Sequence, residues 1–465
     1  MLTQLHMQNF KGWEDTGSIR MAPITLFFGA NSSGKSSIGQ FLMLLKQTVE
    51  SQDRKAVLFP GGRNSAVQLG SFQELVFGRD LSRRIQFKYQ WQLQCAMTIT
   101  DPLSGRQYEG DAIQFDASVA QEQSGHGTVF VDHFNYALMN ADDQVLAVGM
   151  KRKEGKLVQY EVKAQGYDLK RNPGRVWHPP TTVRFYGFPD EVVAYHQNSD
   201  FVQSLNLAQE KLFRSLAYLG PLRTKAERLD SWTGTEPERV GYIGENTVAA
   251  ILASRQRKLS MGHKLRYKPF EQVIAEKLKQ MGLIESFKVN RISNKRQDYE
   301  VKVKTKGSLG EVDLPDVGFG ISQVLPVLVE CFYAPANSII LMEQPEIHLH
   351  PRAQAFLADV MIDVINARED GHDRNIQLII ETHSEHFLRR LQRRIAEDAV
   401  KKEQVAAYFA DASRTPTTLD ELRLDICGNI ENWPKDFFGD EMEDITEQSK
   451  AALNKRMKVA MENGE

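Results

Sequence analysis

One stretch decides the fold: Gly29-Ala30-Asn31-Ser32-Ser33-Gly34-Lys35-Ser36, which Ser37 continues. It fits the pattern GxxxxGK[ST] in full and lies between a predicted strand, Ile24–Phe28, and a predicted helix, Ile38–Lys46. Its glycines let the backbone amides turn toward a phosphate, and the helix adds the positive end of its dipole. Lys35 supplies a point charge to the phosphate oxygens, and the Ser36 hydroxyl is a Mg²⁺ ligand. The stretch therefore predicts a phosphate loop for ATP, with a ligand-free Gly/Ser turn as the alternative.

A second strand end carries an acidic residue. Ser338–Met342 is an apolar strand, and Glu343 follows it directly. Because α/β proteins bind ligands at the carboxyl edge of the sheet, Glu343 is predicted to hold Mg²⁺ together with Ser36. A buried carboxylate in an ion pair is the alternative. The chain continues as Gln344-Pro345-Glu346-Ile347-His348-Leu349-His350-Pro351.

With the phosphate loop that contains Asn31 and the opening Asn9-Phe10-Lys11-Gly12, the segment from Glu343 to Pro351 resembles a known family. It is similar to ABC-type ATPases of the RecF, SMC/Rad50 and OLD (overcoming lysogenization defect) groups. The resemblance implies an ATPase head that uses ATP and Mg²⁺. Helices and apolar strands alternate in the last third of the chain, which independently predicts an α/β fold with a parallel central sheet. In this family two acidic residues followed by Pro end the strand, the first binding metal and the second polarising water.

This sequence departs from the family at the second acidic position, where Gln344 stands. An amide orients a water molecule but cannot accept its proton. Phosphoryl transfer depends more on charge stabilisation than on proton abstraction, so we expect hydrolysis to occur and to be slow. Glu346 is a further candidate for the catalytic role. For Gln344 and Glu346 the alternative is a hydrogen bond within the loop.

A glycine-containing loop, Asp316–Gln323, precedes a predicted helix ahead of the acidic strand. Free amides and a hydroxyl at a helix start suit a phosphate. The family carries its signature loop here, which reaches the γ-phosphate bound by the opposite subunit, although this sequence is not LSGGQ. The residues predicted for that role are Gly318, Gly320, Ser322 and Gln323; an ordinary helix cap is the alternative.

The strand Ile376–Ile380 leads into Glu381-Thr382-His383-Ser384. His383 resembles the family's switch histidine, which contacts the γ-phosphate, and a neutral imidazole can do so at physiological pH. The alternative is a structural histidine. For His348 and His350, the resemblance implies a place at the subunit junction, as in the family's D-loop. No third ligand of matching spacing accompanies them, which argues against a metal site.

Periodicity divides the chain into several parts. Alternating runs predict strands at Leu2–Asn9, Arg84–Leu93, Ala112–Ala117, Thr128–Leu138, Leu157–Val162 and within Ser286–Lys304. Helical spacing predicts helices at Phe201–Leu219, Phe270–Met281, Ile321–Phe332, Arg352–Ala367 and Glu385–Ala396, and a charged helix in the tail from Glu441. The predicted units are residues 1–80 (first part of the ATPase head), 81–185 (antiparallel β insertion), 186–310 (helical lobe and adjoining strands), 311–430 (second part of the head) and 431–465 (tail).

Weaker features lie outside these motifs. Gln68 and Gln73 are both candidates for the family's lobe-linking glutamine. Arg223, in a rigid turn, is interpreted as a surface ion pair, with phosphate or DNA sensing as the alternative. Lys11 and Trp13 are candidates for flanking adenine.

Composition restricts the partners. The 58 Lys and Arg nearly balance the 60 Asp and Glu, so any nucleic-acid surface has to be local. Three scattered cysteines argue against a disulfide framework or zinc site and fit a reducing, cytoplasmic location. With no apolar stretch long enough to cross a bilayer, no membrane association is expected.

The motif from Glu343 to Pro351, with Gly428–Pro434, looks like stand-alone bacterial OLD-like ATPases without a TOPRIM nuclease domain. That resemblance implies a homo-oligomer, a dimer or larger, built from head-to-tail ATP sandwiches. It also implies a separate effector, a nuclease or toxin, in defence against phage. A RecF-like DNA-repair ATPase is the alternative, and basic clusters such as Lys151–Lys153 leave DNA open as a partner. A transporter subunit is disfavoured, because LSGGQ is missing and the β insertion is large.

Overall fold

The structure is a computed structural model. It describes residues 1–123, 127–153, 155, 158–174, 177–293, 297–305, 307–434, 437, 446–452 and 455. Its α-helices are α1 (Lys35–Glu50), α2 (Phe72–Leu75), α3 (Asp190–Tyr195), α4 (Phe201–Arg214), α5 (Thr247–Ala253), α6 (Phe270–Gln280), α7 (Phe319–Tyr333), α8 (Pro351–Asn366) and α9 (Glu385–Ala396). Short 3-10 helices span Phe77–Arg79, Leu314–Asp316 and Lys402–Gln404.

The strands belong to two large and two small sheets. They are β1 (Leu2–Phe10), β2 (Trp13–Asp15), β3 (Ile19–Arg20), β4 (Ile24–Gly29), β5 (Ile85–Thr100), β6 (Gln107–Gln121), β7 (Val129–Asn140), β8 (Asp143–Arg152), β9 (Tyr160–Gln165), β10 (Leu216–Leu219), β11 (Asp230–Ser231), β12 (Lys258–Ser260), β13 (Lys268–Pro269), β14 (Ser286–Arg291), β15 (Asp298–Lys304), β16 (Val312–Asp313), β17 (Ile339–Glu343), β18 (Arg368–Glu369), β19 (His372–Asp373), β20 (Gln377–Glu381), β21 (Val405–Asp411) and β22 (Thr418–Glu421).

The central sheet has six strands in the order β10-β17-β20-β4-β21-β22. All neighbouring pairs are parallel except β21 and β22. The predicted α/β class and parallel central sheet are therefore confirmed. Strand β20 lies between the strand of the phosphate loop, β4, and the acidic strand, β17, so the two ends of the chain meet in one sheet.

Both faces of the central sheet are buried. In β4, Ile24, Leu26 and Phe28 point into one hydrophobic core, whereas Phe27 points into the other. The first core includes residues of α7, α8 and α9, and the second includes residues of α1 and of the antiparallel sheet. Burial on both faces explains why these strands are continuous apolar runs. It also leaves the strand ends as the places where polar side chains collect.

The antiparallel sheet has eight strands and joins β1, β2 and β3 to β5 through β9. β1 pairs with β5 over most of its length. Strands of the predicted segments 1–80 and 81–185 therefore form a single sheet. Strand β8, which the sequence reading did not single out, completes the run between β7 and β9.

Most predicted helices are observed to within a turn, but Phe201–Leu219 is not one helix. Helix α4 ends at Arg214, and Leu216–Leu219 is strand β10 at the edge of the central sheet. The apolar residues of Leu216–Leu219 continue the helical spacing, but their backbone forms strand hydrogen bonds with β17 and not helical ones. The tail helix predicted from Glu441 lies largely outside the described residues, of which 446–452 are helical. In the part of the chain that the structure describes, no helix is long and apolar enough to span a bilayer.

Candidate nucleotide-binding site

The loop from Gly29 to Ser37 joins β4 to α1, in the strand-to-helix context that the motif predicts. Gly29 and Gly34 have φ values of 143° and 86°, which favour glycine. A Cβ atom on Gly29 would lie 2.6 Å from the Ala410 carbonyl oxygen, and one on Gly34 would lie 3.3 Å from the Trp13 ring. Both glycines are therefore required by conformation and by space.

Lys35, the first residue of α1, is buried beneath the loop. Its Nζ donates to the carbonyl oxygens of Gly29 and Ala30, at 2.9 and 2.6 Å. Burial lowers the pKa of Lys35, and the charge of the Glu381 carboxylate opposes that shift. The ammonium group is thus held under the phosphate loop and faces the end of β20.

The Ser36 hydroxyl donates to Glu381 Oε1 at 3.0 Å. Glu381 is the last residue of β20 and only 7% exposed. Burial raises the pKa of Glu381, opposed by the Ser36 hydrogen bond and by Lys35. The sequence reading did not single out Glu381 as a site residue, although it ends an apolar strand as Glu343 does, and that shared position was the available signal.

Glu343 ends β17, directly opposite Glu381 in the register of the sheet. Its Oε1 accepts a hydrogen bond from the Tyr218 hydroxyl at 2.9 Å. Burial, and then the charge of Glu381, raise the pKa of Glu343 to about 7. The structure thus brings Glu343 to the same sheet edge as Ser36, with Glu381 on the strand between them.

The loop after Glu343 turns back toward β20. Gln344 has a positive φ of 44°, and its N–H donates to the Glu381 carbonyl at 2.8 Å. Glu346 is buried, and its Oε1 accepts from Thr382 Oγ1 at 2.7 Å and from the His383 N–H at 2.8 Å. The Glu346 side chain therefore fixes the backbone that carries His383.

His383 is half-buried beside a cavity of about 220 Å³, which is also lined by Gln344, Glu346 and His348. Burial lowers the pKa of His383, and the positive charge of Lys35 lowers it further. The imidazole is therefore neutral at physiological pH. The structure brings His383 and Lys35 close enough for this electrostatic interaction, although they lie far apart in sequence.

The predicted signature loop lies at the start of α7, with Gly318 as the N-cap residue. Gly318 is exposed, Gly320 and Ser322 are half-buried, and the Ser322 hydroxyl donates to the Phe319 carbonyl. Gln323 is only 2% exposed. The first three residues are accessible from outside the chain, whereas Gln323 points into the molecule.

Arg223 is buried, so its interpretation as a surface ion pair is wrong. The residue is only 7% exposed, and its guanidinium donates to the carbonyl oxygens of Gln323, Glu343 and Gln344 at 3.2, 3.2 and 3.4 Å. The turn that carries Arg223 directs it inward, because three carbonyl groups meet there. Arg223 therefore ties the first turn of α7 to the end of β17.

Two of the weaker candidates also have other surroundings. Trp13 is fully buried, and its Nε1 donates to the Gly34 carbonyl at 3.0 Å, so its ring supports the phosphate loop and does not flank adenine. Lys11 Nζ donates to Gln40 at 2.6 Å. Gln68 and Gln73 are both exposed, and the choice between them stays open.

The paired histidines have structural neighbours. The His348 ring lies 4.9 Å from the Phe319 ring, and His350 caps α8 by accepting from the Arg352 N–H at 3.3 Å. Among the described residues, no group of three or more His, Cys, Asp and Glu is arranged to hold a metal ion. Mg²⁺ does not require such a group, because it binds through one or two carboxylates together with phosphate oxygens and water.

These features define the class of protein. A phosphate loop follows one parallel strand, an acidic residue ends another, and the strand between them brings a histidine to the same edge. The chain has the fold and the motif order of an ABC-type P-loop ATPase.

Comparison with known protein families identifies an ATPase domain in part of the chain. Residues 242–388 match the AAA ATPase domain family, and residues 400–448 match a family of proteins of unknown function, DUF3696. The first match includes Glu343, Glu381 and His383, and it supports ATPase activity. The phosphate loop lies outside it and joins it through the pairing of β4 with β20. No curated protein matches the sequence.

The solved structures that match the chain include three SMC heads, each at a TM-score below 0.5. The SMC head bound to the C-winged helix domain of ScpA has a TM-score of 0.43 at 11% identity, covering 91% of this chain and 98% of that chain. The SMC head domain from Thermotoga maritima has a TM-score of 0.40 at 10% identity, with 91% and 99% covered. The SMC head with an extended coiled coil, bound to the C-terminal domain of ScpA from Pyrococcus furiosus, has a TM-score of 0.39 at 9% identity, with 91% and 96% covered.

Proposed function

We propose that the chain binds ATP with Mg²⁺, hydrolyses it slowly, and uses ATP-dependent self-association to control a separate effector protein. One observation carries the proposal: the Ser36 hydroxyl is bonded to a carboxylate from the far end of the chain, at 3.0 Å. The segments 1–80 and 311–430 would then each supply half of the pocket. The same proposal divides the rest of the chain into a β insertion (81–185), a helical lobe with adjoining strands (186–310) and a tail (431–465).

The phosphate loop would hold the triphosphate through the backbone of residues 29–37. In the structure Lys35 donates to two carbonyl oxygens of its own loop. Phosphate oxygens carry full negative charge and accept stronger hydrogen bonds than neutral carbonyls do. We therefore expect the ammonium group to exchange these carbonyl partners for the β- and γ-phosphates.

Mg²⁺ fits the oxygen groups at this edge. A hydroxyl, Ser36, and a half-buried carboxylate, Glu343, are the ligand types that Mg²⁺ prefers, and phosphate oxygens and water would complete its coordination. When bound, the ion would neutralise charge that develops on the phosphate oxygens. His383, neutral and on the Lys35 side, would donate a hydrogen bond to the γ-phosphate.

Slow turnover follows from the group at position 344. The Gln344 amide would orient the attacking water without removing its proton. Glu346 keeps a second oxygen, Oε2, without a hydrogen-bond partner among the described residues, and this oxygen is the remaining candidate for a base. Its first oxygen is already committed to the loop that carries His383.

Association would use the exposed start of α7. Gly318 and the half-buried Gly320 and Ser322 would face the γ-phosphate held by a second copy of the chain. A head-to-tail pair of this kind buries two nucleotides and has twofold symmetry. Gln323 would act from inside, through the carbonyl that Arg223 binds.

The effector and the biological setting rest on the resemblance to stand-alone OLD-like ATPases. Under this proposal, the chain would hold or release a nuclease or toxin as it binds or hydrolyses ATP. The setting would be defence against phage in the cytoplasm. The alternative is a DNA-binding repair ATPase. A basic cluster that could contact DNA in this alternative is 151–153. Its Arg152 forms an ion pair with Glu122 at 2.8 Å, which reduces the positive charge available for DNA. ATPase rates with and without duplex DNA separate the two readings, because only the repair ATPase requires stimulation.

The phosphate loop is tested by Lys35→Ala in an equilibrium dialysis measurement of ATP binding. Loss of two charge-assisted hydrogen bonds should weaken binding by about 100-fold or more, which abolishes it at ordinary protein concentrations. Lys46→Ala, further along the same helix, is the matched control, because Lys46 is bonded to Glu50 and lies away from the loop. Undiminished affinity in Lys35→Ala would remove this site from the account.

A further inference from the structure

The carboxylate nearest to the phosphate loop is that of Glu381, and it is positioned from two sides. Its Oε1 accepts from the Ser36 hydroxyl at 3.0 Å, and its backbone carbonyl accepts from the Gln344 N–H at 2.8 Å. Strand β20, which ends at Glu381, is hydrogen-bonded to β4 on one side and to β17 on the other. Glu381 therefore touches both halves of the proposed pocket.

Glu343 has a different neighbour. Its strand, β17, is separated from β4 by β20, and its carboxylate is bonded to Tyr218 at 2.9 Å. No hydrogen bond joins Glu343 to Ser36 among the described residues. The place beside the Ser36 hydroxyl that the sequence analysis gave to Glu343 is occupied by Glu381.

Charge at this edge is unbalanced. Glu381 interacts electrostatically with Glu343 on one strand and with Glu346 on the loop, so three partly or fully buried carboxylates lie together. Of the nearby cations, Lys35 and Arg223 donate their hydrogen bonds to carbonyl groups, and their charges act on Glu381 and Glu346 without a hydrogen bond to either. Two positive charges thus face three carboxylates. Buried carboxylates need a counter-charge, and a divalent cation supplies it.

The spacing of the two oxygens suits one ion. Mg²⁺ binds oxygen at about 2.1 Å in octahedral geometry, which places adjacent ligands roughly 3 Å apart. Ser36 Oγ and Glu381 Oε1 are 3.0 Å apart. The same two atoms that share a hydrogen bond can therefore become neighbouring ligands without a rearrangement of the backbone.

We infer that Glu381 is the carboxylate that holds Mg²⁺ together with Ser36, while Glu343 supports the ion from the next strand. This inference rests on the proposed function, because it places the ion in the same nucleotide pocket. Glu381 would thereby take the metal-binding role that the sequence analysis gave to Glu343, and it would not replace the water-polarising carboxylate that the chain lacks at Gln344.

The test measures metal affinity directly, with Mn²⁺ as the probe. Mn²⁺ is titrated into the full chain loaded with a non-hydrolysable ATP analogue, and the free ion is counted by electron paramagnetic resonance. Glu381→Gln should lower the Mn²⁺ affinity by at least about 10- to 100-fold, because loss of a group that only orients a ligand already has an effect of this size. The substitution keeps an oxygen acceptor for Ser36, so the fold should survive.

Glu385→Gln is the matched control, with the same chemical change on α9 at a residue paired with Arg389, and it should bind Mn²⁺ as the wild type does. Wild-type affinity in Glu381→Gln, with a loss in Glu343→Gln, would overturn the inference. Should Glu381→Gln fail to fold, Glu381→Asp withdraws the carboxylate from Ser36 while keeping its charge. Its Mn²⁺ affinity must still fall, and an unchanged value would overturn the inference as well.

Failure of the inference differs from failure of the proposed function. If the wild-type chain does not bind the ATP analogue at all, the proposed function fails and the Glu381 assignment fails with it. If the analogue binds to the wild type and to both variants, but Mn²⁺ affinity is unaffected by Glu381, only the assignment of Glu381 fails.

Discussion

Gln344 combines an unusual backbone with an uncharged side chain. Its φ of 44° is in the left-handed region, and its N–H is bonded to the Glu381 carbonyl. The side chain lines the cavity beside His383. Its position is fixed by the backbone, so exchanging the amide for a carboxylate changes the chemistry of the site more than its shape.

Gln344→Glu should leave ATP affinity within about twofold and raise the hydrolysis rate by roughly 100-fold, because a carboxylate accepts the proton that the amide cannot. Steady-state release of phosphate measures the rate. Gln203→Glu, exposed on α4, is the control and should match the wild type. A fall in turnover for Gln344→Glu would mean that the water is activated by another group.

Glu343 makes the stability of the chain depend on pH. Its folded pKa of about 7 lies above its ordinary value, so the folded state binds the proton more tightly than the unfolded state does. The stabilisation from this group is full below the ordinary pKa and is lost as pH rises through 7. Glutamine resembles the protonated form and does not titrate.

Glu343→Gln should therefore gain stability relative to the wild type as pH increases from 5 to 8, by on the order of 2 kcal/mol. Urea unfolding of the nucleotide-free proteins at each pH measures the difference between the two free energies of unfolding. The difference cancels the contributions of carboxylates that do not interact with Glu343, whereas Glu381 interacts with Glu343 and titrates together with it. A difference that stays constant across this range would show that Glu343 does not titrate near pH 7.

Among the elements, helix α7 and strand β17 are joined by one side chain. Arg223 donates to the carbonyl oxygen of Gln323 in the first turn of α7 and to those of Glu343 and Gln344 at the end of β17. Arg223 therefore links the first turn of α7, next to the exposed loop, to the acidic edge by hydrogen bonds. These hydrogen bonds join the proposed partner-facing loop to the proposed nucleotide pocket.

Arg223→Ala should lower the free energy of unfolding by roughly 3 kcal/mol, because it removes three hydrogen bonds that a charged, buried side chain donates. Arg228→Ala is the control, since Arg228 is exposed and pairs with Asp313 and Asp316, and it should cost less than about 1 kcal/mol. Denaturant unfolding compares the two. Equal losses of unfolding free energy in the two variants would show that the Arg223 hydrogen bonds stabilise the fold no more than a surface ion pair does.

Local patterns predicted most elements well. Helix α9 was predicted with its observed limits, Glu385–Ala396, because its apolar residues repeat at helical spacing and Ser384 caps it. The prediction of one helix over Phe201–Leu219 is wrong, because β10 is defined by pairing with β17, a distant part of the chain. Local spacing contains no information about that partner.

At the scale of the whole molecule, the site depends on contacts between distant parts of the sequence. The motif identified the phosphate loop and the strand-end position identified Glu343, but neither showed which carboxylate lies beside Ser36. That choice follows from the strand order, in which β20 separates β17 from β4. The inward direction of Arg223 and the burial of Trp13 likewise follow from packing.

The central claim is one pocket made from both ends of the chain around a magnesium-bound triphosphate. A crystal structure of the chain with Mg²⁺ and a non-hydrolysable ATP analogue tests it most directly. The account predicts the phosphates in the loop of residues 29–37, the ion at Ser36, and His383 beside the γ-phosphate. An analogue bound elsewhere, or an ion remote from Ser36 and from both strand-end carboxylates, would contradict it.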